Sequence, residues 1–114
     1  MRTNFQMENE NITMIRGDTL AFNVEVTNED GNVVTVDYAD FTCKKLSADH
    51  KSVFHKSLGD GIRQIDGLLT IRVAPEDTQE VDAGRYFYDL CIGVGNDKYT
   101  IMKGVLNIEQ DVTF

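Results

Sequence analysis

The run LAFNVEVT, Leu20 to Thr27, places Leu20, Phe22, Val24 and Val26 on one parity and Ala21, Asn23, Glu25 and Thr27 on the other. A period of two belongs to a strand buried on one face, because successive side chains of an extended chain point to opposite sides. The pattern returns in LLTIRV, with Leu69, Ile71 and Val73 against Leu68, Thr70 and Arg72. It returns again in RYFYDLCI, with Tyr86, Tyr88, Leu90 and Ile92 against Phe87, Asp89 and Cys91. Phe41 and Cys43 share a face in DFTCKKL. No stretch of ten or more residues carries apolar positions at helical spacing, so the chain must build its core from strands.

Turn chemistry divides these runs. Asp30-Gly31 and Asp66-Gly67 are hairpin signals. Pro75, the only proline, ends the strand before it, since it has no N–H to give a ladder. PEDTQEVDAG has room for one helical turn, with Pro at its start and acids near its positive end. Near the C-terminus Ile101 is odd-numbered while Leu106 and Ile108 are even. Keeping all three inward requires a bulge, which Gly104 is predicted to supply. A chain of 114 residues suffices for one core. The reading is a single all-β domain over 1–114, an immunoglobulin-like antiparallel β-sandwich of about seven to eight strands, with 1–11 as a flexible N-terminal segment.

Asp82, Gly84 and Tyr86 alternate just ahead of the most apolar strand. This spacing predicts a tyrosine corner, in which the Tyr86 hydroxyl folds back onto backbone of the 76–82 connection. The antibody-type core tryptophan is absent because the chain has no Trp, and Tyr88 stands where such a domain has its second cysteine.

Several functions are disfavoured. Nineteen acidic against 11 basic residues give a net charge of −8, opposite to the basic footprint that nucleic acid or an anionic membrane surface requires. The N-terminus MRTNFQMENENITM has charges and amides where a signal peptide has its apolar region, which predicts synthesis in a cytoplasm. Cys43 and Cys91 form no C-x-x-C pair and are read as free thiols. His50 and His55 sit among lysines without a third ligand, so no metal and no cofactor is expected. Ser47, Ser52 and Ser57 lie near them with no motif that would activate a nucleophile. Arg16-Gly17-Asp18 is read as a turn launching the Leu20 strand, not as an adhesion signal.

A chain without catalytic motifs acts through its surface. By alternation Phe87 and Leu68 point outward, and both are predicted to lie in or near a subunit contact. The competing expectation is that the N-terminal segment, through Phe5 and Met7, covers them within one chain.

The segments IRGDTLAFNVEV, FHKSLGDGI, VAPEDTQEVDAGRYFYDLCI and YTIMKGVLNIEQDVT follow in this order. In this order and spacing the chain resembles, from Ile12 to Thr113, the N-terminal domain of baseplate upper proteins of siphophages that infect Gram-positive bacteria. The resemblance implies a non-enzymatic β-sandwich subunit of a phage or prophage tail, acting as an assembly or adaptor module. Its partners would be other tail proteins and further copies of itself, and its destination the virion, reached by lysis without a signal peptide. A carbohydrate- or cell-surface-binding module is the alternative, which the lack of Trp disfavours.

Overall fold

The computed structural model describes residues 8–28, 30–46 and 51–111. The protein is all-β, with one four-residue helix among the described residues. In chain order the strands are β1 (Glu8–Asn9), β2 (Ile12–Ile15), β3 (Leu20–Glu25), β4 (Tyr38–Lys44), β5 (Phe54–Leu58), β6 (Gly61–Ile65), β7 (Leu68–Val73), then α1 (Pro75–Thr78), β8 (Gly84–Val94) and β9 (Asp97–Glu109). They form one continuous mixed sheet in the order β1-β9-β8-β4-β5-β6-β7-β3, with β2 following β1 along β9. Because β1 and β2 share one edge of β9, the sheet is eight strands wide, and it is nearly closed into a barrel.

Chain length explains the closure. β2 and β3 lie at opposite ends of this path, yet only residues 16–19 join them. A link of that length spans at most about 18 Å, whereas a flat sheet of this width would hold its edges about 34 Å apart. The sheet must curl. The joining turn is fixed by Gly17, which has φ +82° and donates its N–H to Thr78 Oγ1 at 2.8 Å. Arg16 is held against Asp111, with Nη2 2.8 Å from Oδ1, so the Arg-Gly-Asp tripeptide is engaged in the fold.

The core follows the alternation. Phe41, Cys43, Leu69, Ile71, Val73, Leu90 and Ile92 are fully buried. Burial pushes the Cys43 thiol up to about 12, and both cysteines are free. α1 starts at Pro75, and the Asp77 carboxylate accepts the Ala74 N–H at 2.7 Å. The Asp66-Gly67 turn closes the β6–β7 hairpin with φ of 51° and 80°.

Four features differ from the sequence expectation. The pairing is not purely antiparallel: β1 and β2 run parallel to β9, and β5 is parallel to β6 over two residue pairs. β1 falls inside the segment read as flexible. The β-branched run NVVTVDY, Asn32 to Tyr38, is expected from its composition to continue as extended chain, but 33–37 is no ladder strand; Val34 and Val36 are buried, and the Gln64 side chain donates to Val34 O and accepts from Val36 N, both at 2.9 Å. The bulge lies at Ile101, not Gly104: Leu90 pairs with Met102 but Cys91 pairs with Thr100. The extra residue lets Tyr99 pair with Ile92 while Met102, Leu106 and Ile108 stay buried.

Gly104 has another use. It pairs with Tyr88, and the Glu10 carbonyl turns into the space its side chain would fill. The Tyr88 hydroxyl donates to that carbonyl, while Glu10 N–H donates to Lys103 O at 2.9 Å. The interruption between β1 and β2 is therefore built around a missing Cβ.

Candidate functional site

The tyrosine corner is present. Tyr86 is 4% exposed and donates its hydroxyl to Asp82 O at 2.6 Å. Burial, and then the negative charge of Asp82, push its pKa upward, so the phenol remains a donor at neutral pH. Gly84 begins β8, and the Lys45 ammonium lies 4.7 Å from the centre of the Tyr86 ring. Asp82, Gly84 and Tyr86 thus fix the entrance to β8; they are a structural device. Tyr86→Phe removes one hydrogen bond and is expected to cost about 1 kcal/mol in a urea unfolding titration. No change in the midpoint would mean the corner is held by packing alone.

The outward faces of β5, β4, β8 and β9 form an open groove of about 900 Å³. Pairing register assembles it row by row. Arg85 stands opposite Asn107. Phe87 lies between Lys44 and Val105, and Asp89 between Thr42 and Lys103. Cys91 lies between Asp40 and Thr100. Lys98 closes the far end opposite Gly93. Asn11 adds a wall from the N-terminal strand, its Oδ1 accepting the Val105 N–H at 3.2 Å.

The groove has an apolar floor and a basic rim. Phe87 and Val105 are half-buried there, and the Arg85 guanidinium lies 5.7 Å from the centre of the Phe87 ring. The lining holds four of the chain's 11 basic residues and two of its 19 acidic ones. Only Asp40 has a close basic side-chain partner; Asp89 is placed opposite a lysine by register alone. Asp40 is 2.8 Å from His55 Nε2, and Asp89 faces Lys103 across the strands. Lys44, Arg85, Lys98 and Lys103 form no ion pair with a described side chain. A basic surface has therefore been concentrated on an acidic protein.

The thiol in the groove is not set up as a nucleophile. Cys91 is 8% exposed, with Sγ 3.4 Å from Thr100 Oγ1. Burial pushes its thiol pKa up, partly offset by the Thr100 hydroxyl. It is held as a thiol, and the nearby imidazole of His55 is turned to Asp40. No group of three or more His, Cys, Asp or Glu could hold a metal among the described residues. No helix among them is long and apolar enough to cross a membrane.

Of the two residues expected at an interface, Phe87 lies in this groove and Leu68 does not. Leu68 is 37% exposed on β7, four strand positions from β8 along the sheet. That path is about 19 Å at ordinary strand spacing, so the two form separate surfaces. Leu68 pairs with Ile65, which is 59% exposed, at the tip of the β6–β7 hairpin. Val33, 52% exposed, packs against Gly67 of the same tip. Sequence reasoning missed Ile65 and Val33, although both flank turn signals. His50, Phe5 and Met7 lie outside the described residues. Neither a protein-family model nor a curated protein matches the chain.

Proposed function

We propose that the protein is a non-enzymatic structural module of a phage or prophage tail or baseplate, and that it acts by docking other proteins in the outer groove around Phe87. The observation that carries the docking role is the groove itself, an aromatic floor inside a basic rim on a chain of net charge −8. Apolar surface supplies binding energy, and the surrounding charge steers and selects the partner. The tail assignment is supported by the segment resemblance alone.

The finer fold reading is an immunoglobulin-like sandwich. β3-β7-β6 would be one layer and β2-β9-β8-β4-β5 the other, joined by the two-pair ladder between β5 and β6. Three features support it: the tyrosine corner, the pairing of the third and seventh strands, and the set formed by β4, β8 and β9, which match the strand plan of variable-type domains.

Light scattering on the purified chain, alone and mixed with the products of the genes flanking its own, tests the docking role. Complex formation is expected, and Phe87→Ser is expected to weaken it at least tenfold while moving the melting temperature by less than about 3 °C, as for surface substitutions. A large loss of stability with association intact would place Phe87 in the core and remove it from the interface.

A further inference from the structure

The groove and the hairpin tip are complementary in three respects. The groove is concave, and the tip is the turn of a two-strand hairpin closed by Asp66 and Gly67. The groove floor is apolar at Phe87 and Val105, and the tip presents Ile65, Leu68 and Val33 as exposed apolar side chains. The groove rim is basic, and the tip carries Asp66 at the turn and Glu25 opposite Leu68, with Asp30 on the turn before Val33. Arg63 and Arg72 lie farther down the hairpin, away from its end.

One copy cannot bring these surfaces together. They belong to β8 and β7, four strand positions apart on the outside of one curled sheet. Two copies can. We infer that the groove around Phe87 receives the β6–β7 hairpin tip of a second copy of this chain, with Ile65 and Leu68 against Phe87 and with Asp66 and Glu25 toward the Lys44–Arg85 rim. This deepens the assembly reading and rests on it. Because the two patches differ, the contact is head-to-tail, and such contacts propagate into a ring when the rotation closes and into a filament when it does not. Charge complementarity selects this occupant: outside the groove lining the chain carries 17 acidic residues against 7 basic ones, while the tip pairs its acids with the basic rim.

The test is sedimentation velocity on the full chain and on two variants that each disable one partner surface. Phe87→Ser spoils the groove and keeps the tip. Ile65→Ser with Leu68→Ser spoils the tip and keeps the groove. All three side chains point outward, and thermal melting checks that each variant is folded. The native chain is expected to form species that grow with concentration and shrink as NaCl rises from about 0.05 to 0.5 M, as screening of charged surfaces requires. Each variant alone is expected to be monomeric. Their equimolar mixture is expected to give a discrete 1:1 complex, because one intact groove meets one intact tip and nothing remains to extend it. A tip variant that still self-associates would show a groove-to-groove contact and overturn the inference. So would a native chain that stays monomeric at about 1 mM. If that monomer still bound a flanking-gene product through Phe87, the self-contact would be wrong and the docking role would stand.

Discussion

Replacing Phe41 by alanine is expected to cost about 3–5 kcal/mol, the range for removing a buried aromatic side chain. Phe41 is fully buried on β4, and its ring lies 5.4 Å from Tyr88 on β8 and 6.0 Å from Phe54 on β5. These are sheet neighbours. The third contact is different: Phe22 on β3 meets Phe41 edge-on at 5.6 Å, although β3 is the far end of the strand path. Phe41 therefore spans the interior and ties the two ends of the curled sheet to its middle. With total stability of about 5–15 kcal/mol for a domain, the loss removes a large share. Thermal melting should fall by at least about 12 °C. A loss under about 1 kcal/mol would mean that the walls do not meet through this ring.

Gly104→Ala is expected to be the next most damaging change, although it adds a single methyl group. That methyl would clash with the Glu10 carbonyl oxygen. Either β9 shifts or the N-terminal strand lifts, and lifting breaks the bond from the Tyr88 hydroxyl to Glu10 O. Overpacking together with a lost, partly buried hydrogen bond predicts about 2–4 kcal/mol. Hydrogen exchange localises the effect. The Glu10 amide, bonded to Lys103 O, and the β2 amides should lose protection, while β4 and β8 keep theirs. Uniform loss across the sheet, or stability within about 0.5 kcal/mol of the native chain, would contradict the carbonyl's placement.

Much of this architecture is legible in the alternation of single strands. The inward sets of β7 and β8 read directly from parity, and the Asp66-Gly67 turn reads from its dipeptide. What was not legible depends on which strand lies beside which. β1 and β2 come from an amide-rich stretch whose only period-two signal is Ile12 and Met14, and nothing in that stretch announces parallel pairing with β9. Gly104 looked like a bulge because glycine permits one; its requirement comes from Glu10, far away in sequence. The bulge fell instead at Ile101, where two consecutive residues, Ile101 and Met102, are both buried.

The groove illustrates the same limit. Lys44, Arg85, Lys98 and Lys103 come from three strands, and only the register places them around Phe87. Net charge of the whole chain conceals this concentration. Outward parity did identify Phe87 and Leu68 as outward-facing apolar positions, the first half-buried and the second exposed, but it could not place them on different surfaces, since parity gives a face and not a position around the curl.

The proposal that this chain is a structural part of a virion tail is tested most directly by quantitative mass spectrometry of phage particles purified after induction of the bacterial strain that carries the gene. The account predicts the intact chain in particles, at a fixed ratio to the tail-tube protein that survives high-salt washing and repeated banding. Particles that are complete and infectious without it would contradict the claim.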